Sequence, residues 1–242
     1  MEFEIIPVFH GFPAKSSRGF LGWSSVYLIK VEEQNQEKFM LFDTGGYNER
    51  FELIRRLKEL NLNLKDINSV FISHLHFDHA VNWTLFPNAN IYISSGELVT
   101  QETAEDLMVP DFHCEKLKNH INTKTIEEGD IIHGFEVVSL PGHTLNLMGL
   151  KRDDTYLVSD AIKNRKEILK SQLTNTINKE LAMSTIDFLL NNANIIYPGH
   201  DIPLIKKSGN WEPVINNKMS ILYPDHLIDF NGKPKIELNI KD

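Results

Sequence analysis

The densest group of chemically active side chains lies at residues 74–79, which read His-Leu-His-Phe-Asp-His. His74 and His76 are two positions apart, so in an extended segment they share a side and can bind one ion together. Asp78 and His79 follow where the chain is expected to turn, and they can face a second ion beside the first. Because imidazole and carboxylate are the usual ligands of zinc and its neighbours, the motif predicts a metal site.

Further candidate ligands stand at the ends of three later apolar runs. Four side chains are too few to fill two metal sites, so other parts of the chain are expected to contribute. The side chains that follow these runs are His143, Asp160 and His200. A glycine precedes each of the two histidines and lets the backbone approach closely there. The pattern predicts that one edge of a sheet presents all seven candidate ligands to one place.

Short apolar runs bounded by turn residues predict the elements that position these side chains. The predicted strands cover residues 4–8, 25–31, 38–42, 69–73, 90–94, 135–140, 147–151, 155–159, 194–197 and 233–240. Helical stripes predict helices over 48–60 and 176–191, and residues 100–122 have no clear period, which predicts a loop or lid with a short helix. Strands outnumber helices and include hairpins, which favours a mixed α/β sandwich over an all-parallel sheet.

Composition bounds the class of protein. The chain has 242 residues, of which 41% are hydrophobic, and this excludes a disordered or fibrous protein. We expect one domain over residues 1–242. The formal net charge of -8 argues against a general binder of nucleic acid or anionic membranes. One cysteine excludes an intrachain disulfide, and with no secretory or membrane segment in view we expect a cytoplasmic protein.

Some residues near the motifs keep an ordinary alternative. Asp43-Thr44-Gly45 either forms only a turn or supplies an acid that orients a metal-bound histidine, since such rings need an acceptor at their other nitrogen. Although His113 stands beside Cys114, one cysteine is a weak indication of a zinc pair. The histidines that we predict to be ordinary residues are His10, His113, His120, His133 and His226.

Taken in chain order, these motifs resemble the metallo-β-lactamase superfamily. The matching pieces are Asp43-Thr44-Gly45, His74-Leu75-His76-Phe77-Asp78-His79, Pro141-Gly142-His143-Thr144, Ser159-Asp160-Ala161 and Gly199-His200. The resemblance implies an αββα sandwich, in which two mixed β-sheets are flanked by helices, with a binuclear metal centre at one edge. It implies one metal on His74, His76 and His143 and a second metal on Asp78, His79 and His200, with Asp160 bridging them.

The resemblance also implies an activity. Lactonases and glyoxalase II-like thioesterases of the superfamily use the complete set of seven ligands. We therefore expect a binuclear metal-dependent hydrolase that attacks a lactone or acyl ester, ahead of a thioester, with a metal-bridging hydroxide. Asp78 is the candidate catalytic residue, as both a ligand and the orienter of the nucleophile. Two divalent ions are expected, with zinc as the default and iron, manganese and cobalt as alternatives.

The substrate contacts are less defined by the sequence. Lys163 stands three residues after Asp160, where lactonases of the superfamily often have a tyrosine, and it is a candidate partner for an oxyanion or carboxylate. An exposed lysine is the simpler interpretation. Trp23, Met108 and Phe112 are candidates for an apolar acyl pocket, although Trp23 is as readily explained by core packing.

The sequence is also compatible with other functions. The same two-metal site can clamp a phosphodiester, and a persulfide-dioxygenase-like enzyme would hold a single iron. A metal-bearing sensor without turnover is the alternative from another class. We expect a small-molecule substrate, and the oligomeric state is open, with a homodimer among the alternatives.

Overall fold

The computed structural model describes residues 2–16, 19–100, 106–169, 173–214, 218–222 and 235–239. The α-helices in these ranges are α1 (Arg50–Glu59), α2 (Phe77–Ala80), α3 (Ser95–Thr100), α4 (Asp111–Lys118) and α5 (Lys179–Asn192). The strands are β1 (Phe3–Phe9), β2 (Lys15–Ser16), β3 (Gly19–Phe20), β4 (Val26–Glu33), β5 (Gln36–Phe42), β6 (Ser69–Ile72), β7 (Asn90–Ser94), β8 (Thr123–Ile126), β9 (Ile131–Ile132), β10 (Phe135–Ser139), β11 (Met148–Arg152), β12 (Thr155–Ser159), β13 (Ile195–Pro198), β14 (Leu204–Lys207), β15 (Asn210–Pro213), β16 (Lys218–Leu222) and β17 (Lys235–Asn239).

The strands form two large mixed sheets and two short hairpins. The first sheet has the order β1-β4-β5-β6-β7-β8, and the second has the order β15-β14-β13-β12-β11-β10-β9. In the first sheet β5, β6, β7 and β8 run parallel, while β1, β4 and β5 are antiparallel neighbours. In the second sheet only β12 and β13 form a parallel pair. Both sheets are therefore mixed, as predicted.

The alternation of side chains along β4 shows how the layers are built. Tyr27 and Ile29 pack between the two sheets, against residues such as Phe135 and Leu157 of the second sheet. Because successive side chains of a strand point to opposite faces, Leu28 lies on the other face of the first sheet. Both faces of this strand are thus buried, which is why it reads as a continuous apolar run.

A helix covers the outer face of each sheet. Leu53 and Leu57 of α1 belong to the apolar cluster on the first sheet, and Ile186 and Leu189 of α5 belong to the cluster on the second. These pairs lie three or four residues apart, so one stripe of each helix is buried. The layers run helix, sheet, sheet, helix, and the predicted αββα sandwich is confirmed.

The predicted elements differ from the observed ones at their ends, and seven observed strands are not predicted. The strands without a prediction are β2, β3, β8, β9, β14, β15 and β16. The helix predicted over 176–191 begins at Lys179, because the Asn178 side chain accepts hydrogen bonds from the backbone nitrogens of Glu180 and Leu181. Strand β8 was not predicted, since only Ile126 of its four residues is buried and no period of two shows. The short helix predicted within residues 100–122 corresponds to α4.

Two further expectations concern the whole chain. Among the described residues, no helix combines the length and the apolar character that crossing a membrane requires. The expectation of one domain over residues 1–242 stays a prediction. Strand β17 lies within the strand predicted at 233–240, and it pairs with β16 rather than with either large sheet.

Candidate metal centre

The seven candidate ligands follow the ends of four strands. His74, His76, Asp78 and His79 lie after β6 of the first sheet, the last two within α2. In the second sheet, the strands that precede the other three ligands are β10, β12 and β13. These three strands run in one direction, because β10 and β12 are both antiparallel to β11 and β13 is parallel to β12. Their carboxyl ends therefore meet at the same edge of the sandwich.

The ligand atoms form compact groups there. In each of three groups, the ligand atoms all lie within 4.8 Å of one another. The groups are His74, His76 and His143; Asp78, His79 and His200; and His74, His79 and Asp160. The first two are the sets that the resemblance implies for two separate ions.

Asp160 stands between the two sets. Its Oδ2 lies 3.2 Å from Nε2 of His143. Its Oδ1 lies 3.3 Å from Nε2 of His79 and 3.3 Å from Nε2 of His200. One carboxylate oxygen thus faces each set, which is the disposition that a ligand bridging two ions requires.

Three ligand atoms are buried and make no hydrogen bond in the described part of the chain, although two of them, His79 Nε2 and Asp160 Oδ1, face each other at 3.3 Å. These atoms are His74 Nε2, His79 Nε2 and Asp160 Oδ1. Buried polar atoms in proteins are nearly always hydrogen-bonded, so unpaired atoms that converge on one point call for a partner. Imidazole nitrogens and a carboxylate oxygen fit divalent metal ions in that role.

The other nitrogen of three imidazoles is held by the protein. Nδ1 of His74 lies 2.9 Å from the Ser73 hydroxyl, and Nδ1 of His200 lies 2.8 Å from the Trp23 carbonyl. Nδ1 of His79 lies 2.9 Å from Oδ2 of Asp43. Each contact leaves Nε2 directed at the centre, because a ring anchored through one nitrogen presents the other.

Asp43 has the geometry of an acid that orients a metal-bound histidine, and its role goes beyond forming a turn. Besides facing His79, its carboxylate accepts hydrogen bonds from the backbone nitrogen of Ser73, at 2.9 Å, and from the hydroxyls of Ser73 and Ser159. The residue is 1% exposed. Four donors thus hold this carboxylate in place behind the metal ligands.

One partner of the centre, Asp106, carries no signal in the sequence. Oδ2 of Asp106 lies 2.9 Å from Nε2 of His76, whose Nδ1 in turn lies 2.9 Å from Nε2 of His143. Asp106 is fixed by a hydrogen bond from the backbone nitrogen of Met108 to its Oδ1. No motif or period marks this aspartate, because it belongs to an irregular segment that reaches the site only in the folded chain.

The charges of the centre suit cations. Burial holds the pKa of His74 and of His143 well below the ordinary value, so both rings are neutral and able to bind metal. Burial also lowers the pKa of His79, but Asp160, Asp78 and Asp43 outweigh it and raise that pKa well above the ordinary value. Burial acts in the opposite sense on Asp160, where the facing imidazoles, His200 first, hold the pKa well below its usual range. Carboxylates thus create a negative potential in which divalent ions would replace protons.

The glycines before His143 and His200 are needed for close approach, as predicted. A Cβ on Gly199 would lie 2.0 Å from Oδ1 of Asp160. Gly142 has a φ of +138°, and a Cβ there would lie 2.4 Å from the backbone of Ala182 in α5. Any larger residue at either position would displace a candidate ligand or the helix behind it.

A cavity of about 680 Å³ opens onto the ligands and tests the predicted substrate contacts. Lys163 lines it, but the interpretation of this residue as exposed is wrong, because it is 8% exposed. Its ammonium donates to the Thr174 carbonyl at 2.8 Å and lies 3.4 Å from Oε1 of Glu167. These contacts offset the cost of burying the charge.

Of the three other residues predicted to form the pocket, one lines the cavity and two do not. Met108 lines the cavity, whereas Phe112 is 68% exposed and is not among the described residues that line it. Trp23 does not line it either. Its indole donates to the His10 carbonyl at 2.9 Å, and its ring packs on Phe12, which does reach the cavity. Trp23 contributes to the site through the carbonyl that holds His200.

The histidines predicted to be ordinary lie outside the three ligand groups as far as the structure describes them. His113 accepts a hydrogen bond from the Trp83 indole at 3.0 Å, and the ring of His120 packs on the same indole. His133 bonds to Ser69 and Glu33. His226 lies outside the described residues.

Comparison with known proteins identifies the family. The chain belongs to the metallo-β-lactamase superfamily, whose family model matches residues 21–200. A Methanocaldococcus jannaschii protein named "Probable metallo-hydrolase" is 27% identical over 163 residues, which are 67% of this chain and 70% of that protein. An N-acyl homoserine lactonase of a Bacillus species is 26% identical over 164 residues, but the match spans only 64% of either chain.

Solved structures agree with the fold. A mutant of the lactonase AiiA of B. thuringiensis, with N-decanoyl-L-homoserine bound at its active site, superposes with a TM-score of 0.63. It is 20% identical, and the superposition covers 83% of this chain and 93% of that one. The dizinc quorum-quenching lactonase AidC gives a TM-score of 0.58 at 19% identity, over 81% of each chain. At these identities the likeness establishes the fold alone.

Family membership and the ligand geometry together make this chain a metal-dependent hydrolase.

Proposed function

We propose that this protein is a binuclear hydrolase that cleaves a carboxylic ester-type bond in a small molecule, a lactone or acyl ester ahead of a thioester. The observation that carries the proposal is the position of Asp160, with one oxygen toward His143 and the other toward His79 and His200. In a site for a single ion, the two oxygens of one carboxylate would not face two separate sets of ligands. We assign zinc to both positions, since three imidazoles and shared carboxylates suit it.

The residues of the chain divide the chemistry among them. Two divalent ions bound here would supply Lewis acidity and a hydroxide nucleophile near neutral pH. Asp78 lines the cavity, and its Oδ2 lies 3.4 Å from Nε2 of His200. We assign to Asp78 the tasks of orienting the nucleophile and carrying a proton to the leaving oxygen. Lys163 would bring a held ammonium to the carbonyl oxygen, where negative charge develops during attack.

The lining of the cavity supports a substrate with a hydrocarbon part. Phe12, Phe20, Met108 and Leu173 all line the cavity that contains the candidate ligands. Apolar walls around a few polar groups are typical of small-molecule sites. The lactonases among the relatives bind acylated homoserine, which is consistent with an acyl chain in such a cavity.

The first test combines metal analysis with activity. Protein purified without chelator should contain about two metal ions per chain, and removal followed by zinc should abolish and then restore hydrolysis. Activity is compared on a lactone, an acyl ester, a thioester and bis(p-nitrophenyl) phosphate. Preference for the phosphodiester would replace the proposal by a phosphodiesterase. About one iron per chain would replace it by a dioxygenase-like enzyme.

Variants then test the individual residues. His76→Ala should leave at most one ion per chain, and Asp78→Asn should lower kcat by roughly 10²–10⁴. His133→Ala is the matched control, because it removes a histidine that lies outside the ligand groups. Full activity and full metal content in His76→Ala would show that the ligand set is wrong.

A further inference from the structure

The cavity is lined by two segments of opposite character. Residues 12–22 contribute Phe12, Pro13, Ala14 and Phe20, which are all apolar. Residues 163–166, here called the cationic turn, contribute Lys163, Asn164, Arg165 and Lys166. Three cations in four residues stand out in a chain whose formal net charge is -8. The cavity therefore has hydrocarbon on one segment and cations on the other, and its lining also includes Asp78, Asp160 and Asp201.

Two of the three cations, Lys163 and Arg165, form ion pairs with carboxylates of the protein, and these contacts hold the turn in place. The Arg165 guanidinium donates two hydrogen bonds to the Asp201 carboxylate, at 2.7 Å from Nη2 and at 2.9 Å from Nε. Lys163 lies beside Glu167, which also accepts from the Lys163 backbone nitrogen at 2.7 Å. The carbonyl of Lys163 accepts from the backbone nitrogen of His200 at 2.6 Å. This hydrogen bond connects the cationic turn directly to His200, which is a candidate metal ligand.

Lys166 is the third cation of the turn. Its backbone nitrogen donates to the Asn164 side chain at 3.0 Å, and its side chain is exposed. Within the described ranges of the chain, no carboxylate lies within ion-pair distance of its ammonium. An exposed cation at the wall of a cavity attracts anionic ligands, and a turn that is held in place loses little entropy when it binds one.

We propose that the cationic turn binds an anionic group of the substrate, a carboxylate or a phosphate, through Lys166, while Phe12, Pro13, Ala14 and Phe20 hold the hydrocarbon part. This assignment rests on the proposed function, because it places the reacting ester between these two contacts. It narrows the substrate class to esters or lactones that carry a negative charge away from the bond that is cleaved. A neutral acyl lactone would offer Lys166 no anionic partner.

Binding of unreactive ligands tests the charge preference without relying on turnover. Adipate, its monoamide and 5-phosphonopentanoate share one carboxylate and one chain length, and they differ at the far end in charge and in kind. Dissociation constants are measured by calorimetry on the zinc-loaded protein and on Lys166→Glu. Lys65→Glu is the matched control, since Lys65 is exposed, lies outside the cavity lining and gives the same change of net charge.

The expected result is that wild type and Lys65→Glu bind a dianionic ligand about five-fold more tightly than the monoamide. Lys166→Glu should lose that preference, and added salt should weaken it in the wild type. Tighter binding of adipate indicates a carboxylate in the natural substrate, and tighter binding of the phosphonate indicates a phosphate. Equal affinity for all three ligands, or an unchanged preference in Lys166→Glu, overturns the proposal.

The same proteins separate this proposal from the proposed function. If esters are hydrolysed with no dependence on a distal charge, the anion subsite is wrong and the hydrolase stands. If no ester, thioester or lactone is hydrolysed while the preference for adipate or the phosphonate persists, the anion subsite stands and the hydrolase is wrong.

Discussion

At the scale of single residues, the centre depends on which nitrogen of each histidine faces the ions. Nδ1 of His74, His79 and His200 is occupied by a hydroxyl, a carboxylate and a backbone carbonyl, respectively. His76 is turned the other way, because Asp106 occupies its Nε2. These partners set the ring orientation before any ion binds, and therefore contribute to metal affinity without touching the metal.

Replacement of Asp43 tests this contribution. Asp43→Asn should weaken metal binding by roughly 10–100-fold, because His79 loses a charged acceptor while the shape of the side chain is kept. The measurement is competition for zinc against a chelator of known affinity. Asp154→Asn, at an exposed aspartate that bonds to Asn194, is the control. Wild-type affinity in Asp43→Asn would mean that the carboxylate serves only the turn around it.

Glu49 makes stability depend on pH in the metal-free protein. Burial raises its pKa to about 7 from 4.5, with Asp78 adding to the effect. An acid whose pKa is higher in the folded chain binds its proton more tightly there, so stability falls as the pH rises from 4.5 to 7. Glu49→Gln keeps an acceptor for the Gly46 nitrogen and carries no charge.

In the presence of a chelator, Glu49→Gln should match the wild type near pH 4.5 and exceed it by about 1–2 kcal/mol at pH 8. Urea unfolding at several pH values gives both free energies. Glu128→Gln, at an exposed position, should follow the wild type throughout. A difference between Glu49→Gln and wild type that is the same at every pH would contradict the assigned cause.

At the scale of elements, one side-chain network joins the two sheets away from the metal centre. Nε2 of His133 lies 2.8 Å from the Ser69 hydroxyl, and its Nδ1 lies 2.8 Å from Oε1 of Glu33. The order serine, histidine, carboxylate is that of a hydrolytic triad. However, Ser69 is 1% exposed, so no substrate reaches its hydroxyl. The network instead connects the turn between β9 and β10 to strands β4 and β6.

His133→Ala should lower the free energy of unfolding by about 1–2 kcal/mol, because two hydrogen bonds between the sheets are lost. Part of any loss comes from the backbone, since His133 has a φ of 49°. Asp153→Ala is matched for that strain, with a φ of 54° in the turn between β11 and β12. Denaturant unfolding should show a larger loss for His133→Ala. Equal losses would mean that the network adds nothing beyond the turn.

At the scale of the whole molecule, metal binding and folding are linked. The ligands come from both sheets and are assembled only in the folded chain, so ions bind the folded state and not the unfolded one. Any such ligand stabilises the folded state in proportion to the logarithm of its excess over the dissociation constant. Metal ions should therefore hold the two sheets together at this edge.

Zinc at about a hundredfold excess over its dissociation constant should raise Tm by about 10 °C relative to protein with chelator. Differential scanning calorimetry measures the shift. The double replacement of His76 and His143 by alanine should reduce it strongly, because one ligand group then keeps only His74. A shift of the same size in that variant would place the stabilising ions elsewhere on the chain.

Much of the fold and of the site was predictable from local patterns. The apolar runs of β4, β5, β6 and β12 predict strands, because a period of two or a continuous buried run is visible within a few residues. The 74–79 motif predicts metal ligands because coordination demands particular side chains. The structure brings all seven candidates together, and their individual roles as ligands stay predictions that metal analysis tests.

The sequence by itself determined the types of ligand and the strand ends that carry them, since both depend on neighbouring residues. Only the tertiary structure decided that Asp106 reaches His76 and that Lys163 is buried. It also decided that His200 rests on the carbonyl of Trp23, 177 positions away. Such contacts join segments that are distant in the chain, and no local period or spacing encodes them. They depend on how the two sheets and their loops pack, which is a property of the whole chain.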